Sequence, residues 1–214
     1  MKREGSVPRT PYYRSGFLNV PLDRDYYPLL YAIVFAIYDC GYVARCALDT
    51  DDSTQVRIAK LYDLIFRSKY GIHDISRTQL DKRNRLPRFN MPLELGIFLG
   101  AKAYGTARHR QKSGLILDRT RYRYQKFCSD IAGQDIRAHN EAPKHAIRRV
   151  RDWLRAQPDA SGTVLPAGGY IHSRYLGFRR QLPKLCRRLN REPDDLSFND
   201  YAVLISGWLQ ANPR

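Results

Sequence analysis

Tyr70-Gly71-Ile72-His73-Asp74-Ile75, then Asn90-Met91-Pro92-Leu93-Glu94-Leu95-Gly96-Ile97-Phe98-Leu99, then Ser113-Gly114-Leu115-Ile116-Leu117-Asp118: these three segments decide the fold. The first and third are short apolar runs and read as buried strands. The second reads as a helix. Asn90 is placed to cap it, Pro92 falls in the first turn where its missing N–H costs nothing, and Tyr104-Gly105 closes it. Strand, helix and strand in that order form one unit of a parallel sheet covered by helices.

The same alternation extends in both directions. Upstream, Leu29 to Ile37 is a continuous apolar run, read as a strand buried on both faces, with a short helix over 41–48 after it. Asp49-Thr50-Asp51-Asp52-Ser53 can cap a helix that runs to about Ser68 and sets Val56, Ala59, Leu61, Leu64 and Ile65 on one face. Downstream, a helix is expected over 122–131, a short strand over 135–139 and a helix over 142–156. Asp159 to Gly169, rich in glycine, reads as a linker, and 171–210 is helical in pattern. The expected architecture is α/β: a flavodoxin-like parallel sheet of four to five strands flanked by helices, with a helical C-terminal extension. The expected divisions are an irregular arm over 1–28, an α/β nucleotide-binding or catalytic domain over 29–156, and a basic helical region over 157–214.

A hydrophobic content of 43% with 27% charged residues is that of an ordinary globular chain and excludes disorder. The formal net charge of +16 favours polyanions and phosphorylated ligands as partners. The cysteines Cys40, Cys46, Cys128 and Cys186 form no CxxC pair and have no histidine at ligand spacing, so no metal site is expected. Scattered cysteines and the lack of an apolar stretch after Met1-Lys2-Arg3-Glu4 point to a reducing, cytoplasmic setting. The longest apolar run is too short to span a bilayer, so no membrane partner is expected. No phosphate-binding G-x-x-x-x-G-K-[ST] loop occurs, which removes the usual basis for phosphoryl transfer.

Open parallel sheets bind ligands where strands end and helices begin. On this reading Asp39 follows the first strand, Asp74, Ser76 and Arg77 end or follow the second, and Asn90 and Glu94 open the next helix. Glu94 stands out, because Leu93, Leu95, Ile97, Phe98 and Leu99 surround it and a carboxylate is costly to bury among such neighbours. A capping glutamate that answers the helix dipole is the plainer alternative.

The run Asp74-Ile75-Ser76, a loop, Asn90-Met91-Pro92-Leu93-Glu94-Leu95-Gly96-Ile97-Phe98-Leu99-Gly100 and a following strand resembles the nucleoside 2-deoxyribosyltransferase-like group. It is also similar to the nucleotide-binding TIR-like proteins of bacteria. Ser129-Asp130-Ile131-Ala132-Gly133 adds to the likeness, which covers about residues 30–140. Where the transferases carry a small Gly-Thr-type turn, this chain has Asn90-Met91-Pro92. The resemblance implies chemistry at an N-glycosidic bond, with Glu94 as the carboxylate and Gly96 completing its motif. It also implies a possible place in antiphage defence. Asp74 would orient the sugar hydroxyls or Glu94. Arg77, and more loosely Arg83 or Arg88, would neutralise phosphates. Asp39 and Ser76 would shape the pocket, and Tyr38 and Phe89 would stack on a base. A nucleotide-type small molecule is the expected ligand. No cofactor is expected, and NAD enters only as a substrate.

A second reading makes the chain a non-catalytic sensor that holds a nucleotide or nucleic acid on its basic surface. Arg179, Arg180, Lys184, Arg187 and Arg188 lie in a stretch without acids, and Tyr170, Tyr175 and Phe178 interleave with it. That composition suits stacked bases and paired phosphates. A solvated helix face, or a contact in a homo-oligomer, is the alternative.

Overall fold

The computed structural model describes residues 11–48, 54–80, 85–86, 88–160 and 164–214. Among these, five parallel strands form one sheet in the order β2-β1-β3-β4-β5: β1 (Ser15–Asn19), β2 (Val43–Cys46), β3 (Tyr70–Asp74), β4 (Ser113–Asp118) and β5 (Arg137–Ala138). This is the doubly wound, flavodoxin-like order, with its switch point between β1 and β3. Register runs from Gly16 opposite Tyr70 to Asn19 opposite His73, and from Tyr70 opposite Ser113 to Asp74 opposite Leu117.

Helices α1 (Tyr27–Asp39) and α5 (Pro143–Arg155) cover one face of the sheet. On that face Leu18, Ile72, Leu115 and Leu117 meet Ile33, Val34, Ile147 and Val150. Helices α2 (Arg57–Arg67) and α3 (Asn90–Tyr104) cover the other face, where Phe17, Leu61, Ile65 and Phe98 cluster. A short helix, α4 (Ala107–Arg110), leads into β4. The C-terminal helices α6 (Gly168–Arg188) and α7 (Phe198–Ala211) pack outside α1 and join the same apolar cluster through Tyr175, Phe178, Tyr201 and Trp208. Residues 168–211 therefore complete the main core.

The run Leu29 to Ile37, expected as a strand, is the centre of α1. Its residues Ala32, Ile33, Val34, Phe35 and Ala36 have no exposed surface. The sheet, α5, α6 and α7 surround this helix, so it is apolar on every side and shows no amphipathic period. Pro28 sits in its first turn. The expected helix over 41–48 is instead β2, entered through Gly41, whose φ of +82° suits glycine. The true first strand lies in the segment assigned to an irregular arm. The helix expected over 122–131 is two single 3-10 turns, Arg123–Lys126 and Ser129–Ile131. The 49–53 capping cluster lies outside the described residues, and α2 starts at Arg57.

One close approach fixes α3 on the sheet. A Cβ on Gly71 would come within 2.7 Å of the Phe98 ring and 2.5 Å of His73 Nε2. Only a glycine lets the far end of the Phe98 ring come this close to β3.

Candidate active site at the carboxyl edge of the sheet

Four strands end in polar residues that are almost fully buried: Asn19, Asp74, Asp118 and, just past β5, His139. Each is bound by groups from other segments. Asn19 Nδ2 donates to Met91 O in the first turn of α3 at 2.8 Å and lies 3.1 Å from His73 Nδ1. Asn19 thus ties the ends of β1 and β3 to the start of α3, directly at the switch point. With Nδ1 accepting, the His73 proton sits on Nε2 beside Phe17 and Phe98. Burial, helped by the Lys112 charge, pushes this imidazole down to about 3, so it is neutral and a packing element.

Asp74 is enclosed. Tyr26 donates its hydroxyl to Oδ2 at 2.5 Å, the Ser76 N–H donates to Oδ1 at 2.8 Å, and His139 Nε2 lies 3.0 Å from Oδ2 without hydrogen-bond alignment. His139 Nδ1 accepts the Glu141 N–H at 2.9 Å, which leaves the ring proton on the side facing Asp74. Burial alone would raise the Asp74 pKa, but the adjacent His139 imidazole and the donors Ser76 and Tyr26 outweigh it and hold the carboxyl below its ordinary value.

Arg123 makes a second clamp. Its guanidinium donates to Asp118 Oδ1 at 2.6 and 2.8 Å, to Ile75 O at 2.9 Å and to Thr78 Oγ1 at 2.9 Å. One planar cation therefore joins the loops after β3 and β4. Burial raises the Asp118 pKa even so, and its second oxygen has no partner among the described residues.

Glu94 lies one turn into α3 on the side of Phe98, facing α2. It is 5% exposed. Burial pushes its carboxyl up to about 6, with Arg57 at the start of α2 pulling the other way. Asn90 and Phe89 flank it at the helix entrance, and Phe89 is 63% exposed. Phe89 takes the N-cap position without a side-chain cap bond, in place of Asn90. Arg88 is exposed beside them, and Arg77 lies 3.6 Å from Asp23. Arg83 lies outside the described residues.

Several expected site residues lie elsewhere. Helix α1 runs against the strand direction, so Tyr38 and Asp39 sit at the amino edge of the sheet, opposite Glu94. Asp39 is paired there with Arg174 at 3.2 Å and Arg214 at 3.5 Å, beside a cavity of about 320 Å³. Its charge is already neutralised, so this cavity offers no free acid. Gly96 is on the exposed side of α3, and a Cβ there would meet no protein atom within 4 Å, so the packing of the chain does not require its small size. Asp74 and Glu94 are not brought together: Asp74 binds the entries to α1 and α5, whereas Glu94 belongs to the α2–α3 side. Asp74 has no exposed surface, and its two oxygens meet Tyr26, Ser76 and His139, which ties the loops around it together.

Asn19, Tyr26, Asp118, Arg123 and Arg57 were not expected at the site. Asn19 and Tyr26 fell in the supposed arm, although a short apolar run ending in Asn19-Val20-Pro21 is itself a strand-end signal.

Among the described residues, no helix is long and apolar enough to cross a membrane. In comparison with known proteins, the chain matches no family model, no curated protein and no solved structure.

Proposed function

We propose that the protein cleaves or transfers the N-glycosidic bond of a nucleoside, nucleotide or NAD, with Glu94 as the reacting carboxylate. The observation that carries this is one acid, nearly buried, at the helix entrance beside the β1–β3 switch point. That crevice is where open parallel sheets take their ligands. The resemblance of the Asn90 to Gly100 segment to the nucleoside 2-deoxyribosyltransferase-like group supports the same reading.

The chemistry fits the group. As the bond between ribose C1′ and the base nitrogen breaks, its electron pair leaves with the base: a purine or pyrimidine takes a proton from solvent, whereas nicotinamide, cationic in NAD, leaves neutral. Positive charge develops on the sugar, and an ionised carboxylate beneath the ring stabilises it or bonds to C1′. Water, or the nitrogen of a second base, then attacks C1′, frees the carboxylate and gives up a proton. With its carboxyl at about 6, Glu94 is ionised at neutral pH yet poorly solvated, which suits both roles. On this reading Phe89 stacks on the base, and Arg77 and Arg88 meet a phosphate. Asn19, Asp74 and Arg123 hold the surrounding loops.

The test is chromatographic. Wild type and Glu94→Gln are incubated with NAD, ribonucleotides, deoxyribonucleotides and nucleosides. Base release by wild type alone is expected; equal release by both removes Glu94 from the chemistry.

A further inference from the structure

Helix α6 divides its surface sharply. Ile171, Tyr175, Phe178, Leu182 and Cys186 form its buried row. At about 100° per residue, Arg180, Lys184, Arg187 and Arg188 fall on the opposite side, and all four are exposed. They span about 12 Å along the axis at about 1.5 Å per residue. Among the described residues, no carboxylate forms a salt bridge with any of them. Neighbouring cations are engaged elsewhere: Arg174 pairs with Asp39, Arg179 lies 5.6 Å from the Tyr31 ring centroid, and Arg191 meets Asp200 at 3.4 Å.

We propose that this band binds the phosphate backbone of double-stranded nucleic acid without reading its sequence. The proposal is independent of Glu94. Three observations select this partner. Charge complementarity is the first: a row of cations with no paired acid meets a polymer with one negative charge per about 1.7 Å of duplex. The second is side-chain type. Only nine of the 37 basic residues are lysines, and arginine's planar fork matches phosphate oxygens in pairs. The third is what the face lacks. Of the aromatics that the sequence interleaves with these cations, Tyr175 and Phe178 are 4% and 0% exposed and unavailable to stack on bases, and the half-exposed Tyr170 lies about 15 Å along the axis from Arg180. Single strands are held chiefly by such stacking, so the face suits a paired backbone. The apolar row of α6 is likewise buried in the core, and the isolated exposed Leu176 and Leu189 form no continuous apolar face to insert into a lipid surface.

The experiment uses the full chain and a labelled 20-base-pair duplex of mixed sequence, as DNA and as RNA, with binding read by fluorescence anisotropy from 50 to 300 mM salt. The comparison variant carries Arg180→Ala, Lys184→Ala, Arg187→Ala and Arg188→Ala, all outside the packed face, and its melting curve confirms folding. Wild type is expected to bind either duplex with a steep salt dependence. The log–log slope of the variant should be shallower by about 0.9 for each phosphate that is no longer neutralised, with affinity at 150 mM lower by about tenfold or more. A variant in which charge is kept by lysine at the three arginine positions should retain most of the slope. Unchanged affinity and slope in the alanine variant overturns the proposal. So does binding confined to single strands, or to anionic phospholipid vesicles with no uptake of either duplex.

Discussion

Replacing Glu94 by glutamine removes an ionisable group from a site that disfavours its charge, and the consequence is readable in stability. The carboxyl stands at about 6 in the folded chain against an ordinary 4.5. At 1.36 kcal/mol per pH unit, that displacement corresponds to about 2 kcal/mol. The sign follows from linkage. A carboxyl raised on folding binds more protons in the folded state than in the unfolded state between the two values. Its favourable contribution is therefore complete below 4.5, is lost as pH rises through 6, and stays lost above. Glutamine carries no such dependence. Urea unfolding of both proteins at intervals from pH 4 to pH 8 isolates the effect, because every other titrating group cancels in the difference. The difference should move in favour of Glu94→Gln by about 2 kcal/mol between pH 4 and pH 8, with its midpoint between pH 4.5 and 6. A difference flat to within about 0.5 kcal/mol, the scatter of ordinary surface changes, would refute the reasoning. A drift in favour of wild type would do so more strongly, since it would mean that the charged form is well partnered.

Three further outcomes follow from the same geometry. Asp74→Asn should lower stability by about 3 kcal/mol, because it takes an ion from a buried network and leaves His139 and Tyr26 with a poorer partner. Because the Asp74 carboxyl is held below its ordinary value, its contribution is present above the unfolded pKa and lost as pH falls through the folded one. The variant should accordingly show a flatter acid limb in denaturation. Gly71→Ala should cost about 1–3 kcal/mol by driving a methyl into Phe98 and His73; an unchanged midpoint in urea would contradict the close approach. Asp39→Ala should destabilise by leaving Arg174 without its acid, yet leave the turnover rate of the folded protein unchanged, since it lies at the other edge of the sheet. A loss of rate in the folded variant would restore Asp39 to the site.

The parts of this fold legible from sequence are those with one solvated face or a clear stop. Helix α5 shows Ala146, Ile147, Val150, Trp153 and Leu154 on one side with arginines opposite, and that pattern has a single reading. Strands β3 and β4 are short, apolar and bounded by polar loops, and α3 closes at Gly105. Helix α1 has no solvated face, so its apolar run carries no period, and an apolar run alone does not separate a buried strand from a buried helix. Its length through Asp39 and Pro28 in its first turn are the only local signs of a helix. That single misreading moved Tyr38 and Asp39 to the wrong edge and hid β1, and with it Asn19. Glu94 was legible because a carboxylate amid Leu93, Leu95 and Phe98 demands a reason. The clamp on Asp74 was not, because Tyr26 and His139 reach it across long sequence separations that no local pattern encodes; only the Ser76 N–H contact, two residues away, is local.

The most direct test of the central claim is base release from nucleotides, nucleosides and NAD, followed chromatographically for wild type and Glu94→Gln, with the folded state of both confirmed. The account predicts a freed base with wild type, none with the variant, and a wild-type rate that rises with pH through about 6 as the carboxyl ionises. Release that survives the substitution, or that shows no dependence on pH around that value, would contradict it.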